Sequence, residues 1–541
     1  MRDLAEYYLP PFEACVRDAG VGSVMCSYNA LNGVPTCADD WLQNTLLRDH
    51  WKWNEPEQYI VSDCFAIDQI LVSHNYSDTA EEAAQAALQA GTDLDCGVFY
   101  QNFLPGALDQ GLVSEAEVDV ALKRIYSSLI KVGYFDPTNS HPYQEIAWED
   151  FNTPEARKLA RKAATSGMVL LKHDHSTLPL TVPTKRDLRV LLVGEWANAT
   201  IAMLGGYSGV SPYIHSPLYG LQQVENVLVD SITSLDDPTS AATVAQAHDV
   251  IVYVGGIDQS VERETLDRTS LSCNTTQLAL ISAVSSVGKP TIIVQSGGGQ
   301  LDDSEFLSNP NISAILWVGY PGQDGGVAIA DVLFGNVAPA GRLPVTMYPA
   351  TYVSLPMTDM GLRPDGEKHL GRTYKWHDGA VLPFGHGLHY TTFEVDASFV
   401  PVGSLHISEI LHSCENGERP EQAIIGHVHL RVHNIGNTTS DYVALAFLRG
   451  DGGPPPWPIK ELVGYERLHD LEPGCSGEAG TVVLPITVAS LSRWDEEGRR
   501  ILYPGRYTVA IDTEPELAGV SFEVLGEERV VEVWPERPGR G

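Results

Sequence analysis

QYIVSDCFAI, residues 58–67, is the stretch whose reading decides the fold. Gln58–Ser62 is a short run ending in β-branched residues, the length of a buried strand rather than of a helix. An acid, Asp63, follows at once, and the chain then turns toward helical patterns. Val21–Ser27 (VGSVMCS) upstream and Thr92–Asp95 (TDLD) downstream also read as short buried strands. Thr79–Ala90 (TAEEAAQAALQA) and Ser114–Val132 (SEAEVDVALKRIYSSLIKV) read as helices, the second opened by a capping box of Ser114 and Glu117. Strands alternating with helices specify a parallel sheet. Three strands are too few to close an eight-stranded barrel, so any barrel in residues 1–135 is incomplete.

Outward from this region the chain passes a Pro- and Asn-containing linker, residues 136–153, into a second α/β set, residues 154–390. A helix over Pro154–Ser166 precedes four continuous apolar strands, Arg189–Gly194, Asp249–Gly255, Thr291–Gln295 and Ala314–Val318. Such strands are covered by helices on both faces. Glycine turns follow several of them, but Gly297–Gly299 is GGG and lacks the G-x-G-x-x-G spacing of a dinucleotide site. Over residues 391–530 the pattern changes to short alternating strands, Ile425–Val432, Tyr442–Leu448, Gly480–Ile486 and Gly505–Ile511, which read as an all-β sandwich of immunoglobulin or fibronectin type. Residues 531–541 read as a frayed tail.

The 541 residues carry 70 acids against 35 bases, a formal charge of −35. That field repels phosphate backbones and anionic lipid, which argues against nucleic-acid and membrane-surface partners. No apolar run reaches the ~18–20 residues of a membrane span. No Cys/His or carboxylate cluster has metal-ligand spacing, so neither metal nor cofactor is expected. The first residues do not resemble a secretory signal, because charges interrupt any apolar region. Sequons at Asn75, Asn198, Asn274, Asn311 and Asn437 nevertheless point outside the cell. Of eight cysteines, Cys26/Cys37 and Cys64/Cys96 are locally spaced pairs and Cys414 and Cys475 share the C-terminal region; Cys15 and Cys273 are left over. Connectivity is not fixed by spacing, and buried free thiols are the alternative.

Asp63 lies where a barrel strand would end, the place at which such folds present reacting groups. An Asp in a strand-to-helix turn is also a common helix cap. Val24–Ala38 (VMCSYNALNGVPTCA) puts a Met, a Tyr and an Asn at the end of the preceding strand, facing the same mouth, where thioether and aromatic surfaces pack on a sugar ring. After the strand Asp249–Gly255 comes GIDQSVERETLDR, residues 256–268, in which Glu262 and Glu264 are candidates for a second carboxylate; a solvated charged loop is the plain alternative.

MCSYNALNGVP, IVSDCFAI, GTDLDCG, GGYSGVSPYIHSPL, GYPGQDGGVAIADVLFGNVAPAGRLPVT and LPFGHGLHYTTF, taken together and in this order, resemble family 3 glycoside hydrolases, most of all their fungal β-xylosidase branch. The resemblance implies the C-terminal part of a (β/α)8 barrel, an α/β sandwich domain and a fibronectin III-like β-sandwich, with the upstream part of the barrel and a signal peptide missing from this chain. It implies Asp63 as nucleophile, Met25 and Tyr28 at the −1 subsite, Ser208 or Ser211 as hydroxyl contacts, and an acid/base in the Glu262–Glu264 segment. Counting from the strand end favours Glu262, with Glu264 the alternative. Phe65 stands where related chains have a small or acidic residue. The expected activity is that of a secreted retaining exo-glycosidase releasing terminal β-D-xylose from xylo-oligosaccharides, its two carboxyls about 5–5.5 Å apart. Cys64, at a position where glucosidases of the family carry Trp, favours xylose. The alternatives are β-glucosidase, α-L-arabinofuranosidase, or an inactive carbohydrate-binding fragment. The oligomeric state is left open.

Overall fold

The computed structural model describes residues 1–366, 369–412, 419–474 and 480–538. They form two compact units. The first holds Met1–Trp148 together with Ser492–Leu502 and the chain from Arg529 on; the second holds Glu149–Leu491 and Tyr503–Glu528.

In the first unit β1 (Ser23–Cys26) and β2 (Tyr59–Ser62) pair in parallel, with Met25 opposite Val61 and Cys26 opposite Ser62. The expected third strand, TDLD, is reduced to a parallel bridge between Val61 and Leu94. Helices α1 (Ala66–Val72), α2 (Ala80–Ala90), α3 (Phe99–Asp109) and α4 (Glu115–Lys131) follow. The Ser114–Glu117 capping box forms at the start of α4, and Thr79 with Glu82 makes a second at α2. Each satisfies amides that the first helical turn leaves unpaired. Beneath β2 the buried Asp93 takes a hydrogen bond from the Ile60 amide at 2.9 Å and ion pairs from Arg48 at 3.0 Å and Arg124 at 2.8 Å. Its two oxygens thus hold the segment after α2 against the strand.

The C-terminal end departs from the frayed tail expected over residues 531–541, and from the expectation that residues 391–530 are a single sandwich. Ser492–Trp494, Arg499–Leu502 and Arg529–Val533 form a three-stranded antiparallel sheet within the first unit. Trp534 is 2% exposed, with ring centroids 5.0 Å from Trp494 and 5.8 Å from Trp51. A terminal segment stays ordered when it buries an anchor of this size. The proline- and arginine-rich sequence around Trp534 masked that anchor.

The second unit is built on a six-stranded sheet of β3 (Val169–His173), β4 (Leu188–Val193), β5 (Val227–Ile232), β6 (Val250–Gly256), β7 (Thr291–Ser296) and β8 (Ile312–Gly319), in the order β3-β8-β7-β6-β4-β5. All pairs are parallel except the edge pair β3–β8. Every residue of β6 and β7 is buried, as their unbroken apolar sequences require. The β-sandwich packs β9 (Phe393–Pro401), β10 (Ile424–Asn434) and β13 (Thr481–Thr487) as one sheet, in the order β9-β10-β13. The other sheet is formed by β11 (Ser440–Gly450), β12 (Glu461–Leu471), β14 (Gly505–Ile511) and β15 (Ala518–Val524), in the order β12-β11-β14-β15. Along β10, Val428, Leu430 and Val432 are buried and alternate with His427, His429 and Arg431, the two-residue period of a half-buried strand.

Candidate active site

Asp63 is the first residue beyond β2. Its amide donates to the Cys26 carbonyl at 2.9 Å, and its own carbonyl accepts from the Ala66 amide at 3.0 Å. The carboxylate Oδ1 accepts from the Cys64 amide at 2.6 Å. Helix α1 begins after Phe65 without a side-chain cap, so this carboxylate is not committed to the helix amides. Phe65 has φ 64°, a left-handed conformation uncommon for an aromatic residue. That conformation turns the chain sharply between strand and helix. It is over-determined by the Cys64–Cys96 disulfide and by the Phe65 amide donating to the Cys96 carbonyl at 2.8 Å. The Phe65 ring is 57% exposed.

Met25 and Tyr28 present exposed side chains beside this turn, at 57% and 41%. The Tyr28 hydroxyl donates to the Cys64 carbonyl at 2.7 Å, so the tyrosine and the backbone next to Asp63 are held together. Cys26 and Cys37 form a second disulfide. Between them lies a tight hairpin, Ala30–Leu31 paired with Val34–Pro35, whose Asn32 and Gly33 have φ 51° and 85°. Asn-Gly takes up two successive left-handed residues at little steric cost, which makes it a favoured hairpin turn. The structure therefore brings Asp63, Met25, Tyr28, Cys26, Cys37, Cys64 and Cys96 into one cluster of the first unit.

In the second unit, β6 runs into the loop that carries both glutamates. Glu262 Oε2 pairs with Arg268 Nε at 2.8 Å, and Arg268 Nη1 donates to the Gln300 carbonyl at 2.6 Å. The glycine run after β7 is what admits this arrangement. A Cβ on Gly299 would lie 2.6 Å from Arg268 Nη2 and 2.9 Å from Glu262 Oε1, and one on Gly297 would lie 2.5 Å from the Ile257 side chain. The run serves close packing of the loop on the strand end.

Glu264 is exposed and is met by the hydroxyl of Tyr207. Ser208, exposed, and Ser211, half-exposed, lie on the same loop as Tyr207. The contact to the acid thus comes from their neighbour, which sequence reasoning passed over. An aromatic residue set beside Gly205–Gly206 was the available signal. Behind the loop, Gln277 accepts from Tyr253 Oη at 2.8 Å and from the Gly256 amide at 3.0 Å, and donates to Glu195 Oε1 at 3.1 Å. Burial, followed by the nearby Asp258, pushes the Glu195 carboxyl up.

Asn75, Asn198, Asn274, Asn311 and Asn437 are all exposed. Cys15 is a free exposed thiol and Cys273 a free buried one, while Cys414 and Cys475 lie outside the described residues. Among the described residues no group of three or more His, Cys, Asp or Glu could hold a metal ion, and no helix is long and apolar enough to cross a membrane.

Residues 1–128 match the glycosyl hydrolase family 3 N-terminal domain, 168–390 the family 3 C-terminal domain, and 442–514 a fibronectin type III-like domain. The probable exo-1,4-beta-xylosidase bxlB of Aspergillus fumigatus is 48% identical over 549 residues, covering 99% of this chain and 70% of that protein. The chain belongs to glycoside hydrolase family 3. Within the family, the exo-1,4-beta-xylosidase bxlB of Emericella nidulans is 44% identical over 98% of this chain and 69% of its own length. Among solved structures, a family 3 exo-beta-xylosidase, XlnD, in complex with a xylobiose aziridine activity-based probe superposes with a TM-score of 0.93 at 41% identity, covering 99% of this chain and 70% of that one. A beta-glucosidase from Listeria innocua, in complex with isofagomine, superposes at 0.82 with 25% identity, over 97% of this chain and 70% of its own.

Proposed function

We propose that this family 3 enzyme is a retaining exo-glycosidase that releases terminal β-D-xylose from xylo-oligosaccharides. The observation that carries the reading is the carboxylate of Asp63 at the end of a parallel strand, uncommitted to the following helix and fixed by the turn and disulfide around it. The relatives add the sugar: the xylosidases match this chain at 44–48% identity, whereas the Listeria innocua beta-glucosidase matches at 25%. Secretion is supported by five exposed sequons and two disulfides.

In this mechanism Asp63 attacks the anomeric carbon and forms a glycosyl ester while a carboxylic acid protonates the leaving oxygen; that group, now a carboxylate, then draws a proton from water, which hydrolyses the ester with net retention. Met25 and Tyr28 form a wall against the sugar. Both glutamates stand in the loop after β6, but their surroundings differ. A proton donor must be free to reach the leaving oxygen, and a carboxylate held in an ion pair by an arginine of its own loop is committed elsewhere. Glu262 is so held by Arg268, whereas Glu264 is exposed and meets the hydroxyl of Tyr207. We therefore assign the proton donor to Glu264 and a loop-fixing role to Glu262.

The test is a panel of nitrophenyl glycosides followed by NMR of the first-formed sugar. The β-xyloside is hydrolysed preferentially and yields β-xylose first. Preference for the β-glucoside would overturn the substrate, and initial release of α-xylose would overturn the mechanism.

A further inference from the structure

We propose that the C-terminal segment Trp534–Arg537 is a strap that fixes the sugar-facing hairpin of the first unit, with Arg537 as its positioning residue. The proposal rests on the reading of Tyr28 as part of the sugar subsite.

Three contacts anchor the segment. Trp534 is sealed between Trp494 and Trp51. The Trp41 indole Nε1 donates to the Pro535 carbonyl at 3.3 Å. Arg537 Nη2 donates to the Leu31 carbonyl at 3.0 Å and to Asp39 Oδ2 at 2.5 Å, while its guanidinium lies 4.9 Å from the centre of the Trp41 ring. Its side chain is 10% exposed and that of Asp39 3%. The other oxygen of Asp39 accepts from the Leu42 amide at 3.1 Å, at the start of the helical segment Trp41–His50. One planar guanidinium therefore joins a carboxylate, an indole face and a main-chain carbonyl, a combination that suits arginine better than a point charge.

Leu31 gives this anchoring its functional direction. It sits in the first arm of the Asn-Gly hairpin, three residues after Tyr28, and the Tyr28 hydroxyl bonds the carbonyl of Cys64, the neighbour of Asp63. The strap thus reaches the reacting end of β2 through Leu31, Tyr28 and Cys64. Four residues before its end, the chain returns to a hairpin 506 positions upstream. The Cys26–Cys37 disulfide closes the base of the hairpin and Gln43 Nε2 donates to the Thr36 carbonyl at 2.8 Å, while Arg537 reaches the Leu31 carbonyl beside the Asn-Gly turn, away from that base.

The experiment compares the full chain with Arg537→Ala and Arg537→Lys by hydrogen–deuterium exchange and by steady-state kinetics on an aryl β-xyloside. In Arg537→Ala, amides of residues 28–36 exchange about tenfold faster or more, while those of β7 in the second unit keep their rates. KM rises about fivefold to tenfold with kcat within about twofold, the pattern of a lost binding contact rather than a lost reacting group. Arg537→Lys falls between the two, because a lysine keeps the charge on Asp39 but not the planar guanidinium on the Trp41 ring. Unchanged exchange over residues 28–36 in Arg537→Ala overturns the strap, and faster exchange with an unchanged KM overturns its role at the sugar site. Exchange does not depend on which residues react, so an error in the assignment of Asp63 would leave the structural half of the test standing.

Discussion

Replacing Asp303 by Asn should change the stability of the second unit in a way that depends on pH. Asp303 follows the glycine run that supports the glutamate loop, and its side chain is completely buried. Gln295 Nε2 donates to its Oδ1 at 2.7 Å, Oδ2 has no partner among the described residues, and the neighbouring Asp302 adds like charge. Burial pushes the carboxyl from an ordinary 3.8 up to about 7. A tenfold change in proton affinity is worth about 1.4 kcal/mol, so this rise corresponds to about 4 kcal/mol. The folded chain holds the proton more tightly than the unfolded chain does. The stabilisation is therefore complete below about pH 4 and is lost as pH rises through about 7. At pH 5 about 1.6 kcal/mol is already gone, which leaves about 2–3 kcal/mol to disappear by pH 8. The Cys273 thiol nearby is pushed up to about 12 by burial and does not titrate in this window. Asn is neutral throughout, so the advantage of Asp303→Asn over the parent should grow by about 2–3 kcal/mol between pH 5 and pH 8. Urea unfolding of both proteins at the two pH values, followed by tryptophan fluorescence, measures it; Trp317 stands opposite Gln295 in the sheet and reports on this region. An equal difference at both pH values, or one that shifts toward the parent between pH 5 and pH 8, would refute the reasoning.

Two further substitutions probe the site and its support. Glu264→Gln should lower kcat/KM on xylobiose by about 10²–10⁴-fold and leave kcat/KM on dinitrophenyl xyloside, whose leaving group needs no proton, nearly unchanged while kcat on it falls because the ester then lacks its base, whereas Glu262→Gln should cost about tenfold or less on both; the opposite ranking on xylobiose would return the proton donor to Glu262. Asp93→Ala leaves Arg48 buried without its carboxylate and should destabilise the first unit by about 3–5 kcal/mol. Denaturant titration with Arg48→Met/Asp93→Ala as control should show part of that loss recovered, since the double variant removes the more buried of the two arginines that Asp93 pairs with.

Local signals made much of this chain legible. Asp63, the β-branched run before it and the Ser114–Glu117 box are short-range patterns whose geometry depends on neighbours in sequence, and the structure places them as read. The continuous strands β4, β6, β7 and β8 were equally plain, because burial on both faces leaves long apolar runs such as VLLV and IIV. The edge strands were not. In β5, VLVDSI, none of the six residues is buried, and a half-wet edge carries polar residues that blur its signal. The contact that sets Glu264 apart is also silent in sequence, since Tyr207 lies 57 residues from it, and so is the anchor of Arg268, the partner of Glu262, on the Gln300 carbonyl 32 residues on. Trp534 is the sharpest case, since its partners Trp51 and Trp494 meet it only once the chain has folded back.

Covalent labelling of the reacting carboxylate tests the central claim most directly. A xylobiose aziridine probe, of the kind bound to the related XlnD, is opened by the enzymatic nucleophile and leaves an ester that peptide mass spectrometry can locate. The account predicts stoichiometric labelling on Asp63, within the peptide that carries QYIVSDCFAI, and its disappearance in Asp63→Asn together with xylosidase activity. A label on any other residue, or full hydrolysis of xylobiose by Asp63→Asn, would contradict it.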